Sequence, residues 1–281
     1  MLQEIQNLRN EGVFWLVFQA AFVGSGSGAV IGLFRLLYDI ETFNIIYFFQ
    51  NRPLSPSMAP AIFGVLVLLA IAVSWLLRKE PLISGSGIPQ MELALAGRIP
   101  FPWFRVVVCK FVGTLLSLSG GLSVGREGPC IQMGAAVGCG FGQLFRNLSG
   151  AKMDKAPRFF IGGSVAGLTA AFGAPFAGML FAFEEMKVIV TVPLLLFTGV
   201  AATSAWFVVH ILFGFGLVFP LAATPSLDWL QLWLVLPLGL GTGLFGAAYN
   251  AGLLGITRLH DRQTLIPRFL KPLFPFLLAG L

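Results

Sequence analysis

Five runs of the chain carry no Asp, Glu, Lys or Arg at all: 13–34, 53–77, 159–183, 188–227 and 229–257. Each is longer than the roughly 20 apolar residues that a helix needs to cross the hydrocarbon core of a bilayer. In lipid a backbone must satisfy its own hydrogen bonds, so runs of this kind fold as helices. The remainder agrees, with 57% hydrophobic and only 11% charged residues. Soluble domains carry about a quarter charged residues, too many for this chain to be one of them. The expectation is an all-α integral membrane protein. Eighteen Lys and Arg against 12 Asp and Glu give a net charge of +6. These charges lie mostly between the apolar runs, which assigns them to membrane orientation and not to nucleic acid. Cys109, Cys130 and Cys139 sit in apolar surroundings and read as buried thiols. An enzyme would need a nucleophile with a base or a metal set, and His210 and His260, the only histidines, lie near expected span ends with no ligand spacing. The chain does not read as an enzyme, and no metal is expected.

The first 12 residues, polar and of mixed charge, are not a cleavable signal and read as a cytoplasmic start. Small residues in the first run, Gly24 to Gly28 and Gly32, read as helix-packing positions. Basic residues set the orientation. Arg78–Lys79, the cluster around 146–158 and that at 258–271 face the cytoplasm; the connections at 35–52 and 210–228 then face outward. This alternation closes if the short segments between are re-entrant.

Three breaks interrupt the apolar pattern. Ser84-Gly85-Ser86-Gly87-Ile88-Pro89 and Gly120 to Pro129 flank segments too short to cross comfortably, and Phe172-Gly173-Ala174-Pro175 divides the 159–186 region into two pieces. Irregular backbone at membrane depth is tolerated where protein shields it or where it lines a wet cavity, and broken helices mark ion sites. Pro89 and Pro129 fit the first helical turn, where amides lack partners within the helix. The glycines before them let a ligand approach the main chain. Gly85, Ser86, Gly87, Ile88 and Pro89, with Gly125, Arg126, Gly128 and Pro129, therefore predict two helix N-termini suited to a small anion. Ser86 adds a hydroxyl donor.

Glu127 sits in the second of these turns. A charge at the bilayer centre costs about 2.5–3.5 kcal/mol on insertion scales, so it should face protein or water. The helix end that favours an anion also favours this carboxylate, so the two compete, and protonation releases the site. The alternative is an ion pair with Arg126. Glu184 and Glu185 read either as a hydrated helix end or as a proton entry leading to Glu127. Glu92 and Lys110 could pair between neighbouring segments in a structural role.

Gly85-Ser86-Gly87-Ile88-Pro89, Gly125-Arg126-Glu127-Gly128-Pro129 and Ala174-Pro175-Phe176-Ala177-Gly178, leading into Phe183-Glu184-Glu185-Met186, resemble in order and spacing the motifs of the CLC chloride channel and chloride/proton antiporter family. The likeness covers nearly all of 13–281. It implies a first inverted repeat over 13–213, with broken and re-entrant helices, and the opening helices of a second repeat over 229–281. By the resemblance Ser86 coordinates a central chloride, Glu127 is the external gate and Glu185, beside Glu184, transfers protons internally. Exchangers of the family keep both acids, so the resemblance implies chloride/proton antiport. A passive chloride channel is the near alternative, and a non-transporting fragment or assembly partner another. Gln90 stands where the family often has glutamate. The family's Gly-x-Phe-x-Pro motif and pore tyrosine have no counterpart, and the chain stops inside an apolar segment, so a C-terminal truncation is expected. The implied partners are chloride, protons and the bilayer, with a homodimer if the full fold is completed, and no cofactor. The implied location is a prokaryotic inner membrane, multi-pass, with the N-terminus cytoplasmic.

Overall fold

The computed structural model describes residues 12–51, 56–149, 156–214, 229–262 and 271–279, and all secondary structure among them is helical. In chain order the helices are α1 (Val13–Asn51), α2 (Ala59–Lys79), α3 (Ile88–Leu95), α4 (Trp103–Ser119), α5 (Glu127–Ser149), α6 (Ala156–Phe172), α7 (Pro175–Met186), α8 (Val192–Phe213), α9 (Val235–Arg262) and α10 (Leu273–Ala279). By length and composition α1, α2, α8 and most of α9 could each cross a membrane. The chain divides into two compact units, Met1–Val218 with Pro272–Leu281, and Phe219–Lys271. In the second unit, α9 presents apolar side chains on every face, as a helix in lipid does. The first unit carries the candidate site.

The predicted breaks fall where expected. The 84–87 turn precedes α3, the 120–126 connection precedes α5, and α6 stops at Phe172 before α7 begins at Pro175. The outer connection expected at 35–52 is instead a continuation of α1, which runs for 39 residues to Asn51. No glycine or proline follows Gly32 in that stretch, and Arg35 pairs with Asp39 one turn on, at 4.0 Å. Local charge was mistaken for a loop. The expected cytoplasmic start lies outside the described residues, as do Lys152, Lys155 and the segment 215–228.

Helix α6 is the centre of the first unit and packs against α5, α8, α1 and α7. The α5–α6 contact is backbone on backbone. A Cβ placed on Gly163 would lie 3.0 Å from the Cα of Gly138, and one on Gly167 would lie 3.1 Å from that of Gly134. In a bilayer the hydrophobic effect does not press helices together, so this close approach supplies the packing. Gly24 and Gly28 of α1 seat against Ala201 and Ala205 of α8 in the same manner, which is the role read from the sequence. Gly163→Ala should therefore destabilise the unit by about 1–3 kcal/mol, since backbone cannot move aside as a side chain can. A thermal melt in detergent checks this. Gly199→Ala, whose new methyl meets only Met179 at 3.8 Å, should melt close to the parent.

Candidate functional site

The turn before α3 reverses the chain through two left-handed glycines, Gly85 at φ 63° and Gly87 at φ 87°. An L side chain resists that conformation, which is why the motif carries glycine at both positions. The turn is held from three sides. Lys110 of α4, a buried residue, donates from Nζ to the carbonyl of Ile83 at 2.9 Å and to that of Gly85 at 2.7 Å. Gln132 of α5 donates from Nε2 to Leu82 O at 2.8 Å, and Gln90 donates from Nε2 to Ser84 O at 3.1 Å. Four successive carbonyls, 82 to 85, are thus tied away. Ser86 Oγ accepts the Ile88 amide at 3.3 Å, which leaves its own proton free for another partner.

The second turn meets the first directly. A Cβ on Gly128 would stand 2.6 Å from Ser86 O and 2.9 Å from Ser86 Cα. Only glycine lets the start of α5 approach this closely. The Glu127 carboxylate folds back along its own connection, with Oε2 2.7 Å from where a Cβ on Gly125 would be. Ser86, Gly85, Gly125, Glu127, Gly128 and Pro129 line one cavity of about 460 Å³. Lys110, Thr114 and Ser117 of α4 complete its polar wall. The start of α5, the turn that leads into α3 with its Ser86 hydroxyl, an ammonium and one carboxylate line this space, which can hold a small anion in competition with the carboxylate.

Several predicted residues lie elsewhere. Gly87, Ile88 and Pro89 close the turn behind Ser86 and do not line the cavity. Arg126 does not line it either. Its guanidinium stands 3.9 Å from Asp39 and 5.6 Å from the centre of the Phe172 ring, so its partner is Asp39 and not Glu127. The alternative considered for Glu127 is thereby corrected: side chains at successive positions of a helix start diverge, and Asp39 of α1 reaches the arginine first. The expected Glu92–Lys110 pair is also corrected. Glu92 meets Lys187 at 3.7 Å, while Lys110 serves backbone carbonyls. Glu184 is exposed and Glu185 half-buried at the end of α7, and the cavity does not extend to them. Sequence reasoning missed Gln132, Thr114, Ser117 and the part that Lys110 plays. The available signal was a lone cation inside the apolar 106–116 stretch.

The sequence pattern described as "Voltage gated chloride channel" matches residues 68–281. The chain belongs to that family. Among solved structures it is similar to a slow cyanobacterial Cl-/H+ antiporter, at 27% identity and TM-score 0.81 over 94% of this chain and 62% of that one. It also shares its fold with a CLC-type fluoride/proton antiporter, at 22% identity and TM-score 0.70 over 95% of this chain and 64% of that one. A eukaryotic CLC transporter matches at 19% identity and TM-score 0.73, over 95% of this chain and 49% of that one. The chain thus spans less than two thirds of the length of each of these CLC proteins. The all-helical membrane fold and the family expected from the motifs are both borne out.

Proposed function

We propose that this CLC-family chain takes part in moving chloride across a membrane in exchange for protons. The observation that carries the reading is the meeting of Ser86 and Gly128 in one cavity whose single carboxylate is Glu127. An anion there gains from the positive ends of α3 and α5 and from the Ser86 hydroxyl, and it repels the Glu127 carboxylate. Protonating Glu127 removes that repulsion, so anion entry and proton uptake become linked at one place. Glu185, at the far end of α7, is the acid assigned to pass protons to and from the other side. The 27% identical antiporter, named for chloride and protons, supports the choice of both ions.

Reconstitution of the chain in chloride-loaded liposomes, with chloride efflux and proton uptake recorded together, tests the proposal. Coupled movement supports it. Chloride without protons makes the pathway a channel, and neither signal from inserted protein overturns transport by this chain. Glu185→Gln keeps shape and removes the titrating group. It should stop proton uptake and spare chloride efflux, whereas equal loss of both would make Glu185 a structural residue.

A further inference from the structure

Glu127 follows an irregular stretch, 120–126, with one backbone bond of its own, Val124 N to Leu122 O at 2.8 Å. Gly120, Gly121 and Leu122 bond back to the end of α4 (Leu116 O 3.2 Å, Leu118 O 2.8 Å, Ser117 O 3.2 Å), and Arg126 O accepts Cys130 N at 3.0 Å, so 123–125 are held least. Such a stretch would drift without outside support, and the carboxylate would drift with it, because Glu127 Oε2 rests on Gly125. The support comes from the extension of α1 beyond Arg35, the part that sequence reasoning took for a loop. The Tyr38 hydroxyl donates to Val124 O at 3.1 Å across 86 residues of chain. One residue on, Asp39 stands 3.9 Å from the Arg126 guanidinium, and Arg35 faces Asp39 from the preceding turn. At the other end of the stretch, Ser119 Oγ lies 3.1 Å from Glu41 Oε2, in competition with the carbonyl of Leu115 at 3.0 Å. Tyr38 and Asp39 therefore bracket Gly125, one on each neighbouring residue.

We infer that Tyr38 and Asp39 are positioning residues for Glu127, fixing Val124 and Arg126 so that the carboxylate stays over the cavity. The inference rests on the proposed role of Glu127 as the gate. Neither residue lines the Glu127 cavity, so each acts through the backbone of the stretch it holds. A gate must return to one position after each cycle, and a loose hinge lets an anion pass without a proton.

The test is Tyr38→Phe, which keeps the ring packed 6.0 Å from that of Phe34 and deletes only the donor. One hydrogen bond is worth about 1 kcal/mol net, or roughly a fivefold change in an equilibrium. In the reconstituted chain, amide hydrogen exchange over 120–126 should rise about fivefold while α5 and α6 are unchanged, and the chloride-to-proton flux ratio should rise by roughly the same factor. Chloride efflux should rise as well, and that rise should vanish in a Glu127→Ala background, since the tie works only through that carboxylate. Asp39→Glu should restore most of the coupling that Asp39→Ala loses. Unchanged exchange overturns the tie. Faster exchange with an unchanged ratio makes Tyr38 a purely structural contact and overturns the positioning role. If the parent moves chloride without protons, the antiport reading fails separately, and the tie is judged on exchange and on the Glu127-dependent change in efflux. If the parent moves neither ion, Glu127 is no gate in this chain and the positioning role falls with it.

Discussion

Glu127→Ala is expected to bring proton uptake down to that of protein-free vesicles while chloride efflux continues or rises. The expectation follows from the composition of the cavity wall. Glu127 is the only carboxylate among its lining residues, and the other charged side chain there, Lys110, is committed to the carbonyls of Ile83 and Gly85. Removing the carboxylate leaves no acid at the site to carry a proton. It also removes the group that competes with chloride for the starts of α3 and α5, while Ser86 and both helix ends stay in place. Glu127→Gln separates the two effects. The carboxamide cannot titrate but still fills the space over Gly125, so it should lose proton uptake and gain less chloride flux than alanine does. Simultaneous recording of both ions distinguishes these outcomes. Persisting coupling in either variant would move the proton-carrying role to another acid.

Gly128→Ala is expected to reduce chloride flux by roughly tenfold or more with the helices still formed. The added methyl would lie 2.6 Å from Ser86 O, 2.9 Å from its Cα and 3.0 Å from its Cβ. Two of these three atoms are backbone, so no rotamer change clears the way. Nor can the turn slide aside, because Lys110, Gln132 and Gln90 hold it at successive carbonyls. Overpacking of this kind costs about 1–3 kcal/mol, and about 1.4 kcal/mol, in the lower part of that range, is already a tenfold loss of the closed arrangement. The strain falls between two turns and not within the α5–α6 contact, so circular dichroism should change little while chloride flux falls. An alanine variant that transports like the parent would show that the two turns need not touch for the anion to pass.

Much of this architecture is legible in the primary structure because it depends on near neighbours. Charge-free runs of more than about 20 residues predict helices in lipid, since a single run that long satisfies its own backbone there by coiling. Pro89, Pro129 and Pro175 each fall within the first turn of α3, α5 and α7, as their fixed φ and missing amide require. Gly85 and Gly87 mark the reversal before α3 because only glycine adopts their φ freely. These are properties of stretches a few residues long. The glycines and prolines around Ser86 and Glu127 likewise mark turns that begin helices, at Ile88 and Glu127.

The identity of each charged group's partner was decided at longer range. Lys110 was paired with Glu92 on the strength of opposite charge, yet it lies among carbonyls 25 and 27 residues away in sequence, and Glu92 meets Lys187. Arg126 looked available to an anion, but Asp39, 87 positions earlier, reaches it first. The reason is geometric. A hydrogen bond or ion pair forms only within about 3–4 Å, and no local rule says which of several acceptors the packing of α1, α4 and α5 brings to that distance. Turn chemistry sets where helices begin and what their ends can bind. The tertiary contacts, glycine on glycine and glycine on Ser86, set which ends face each other and which side chains hold them there.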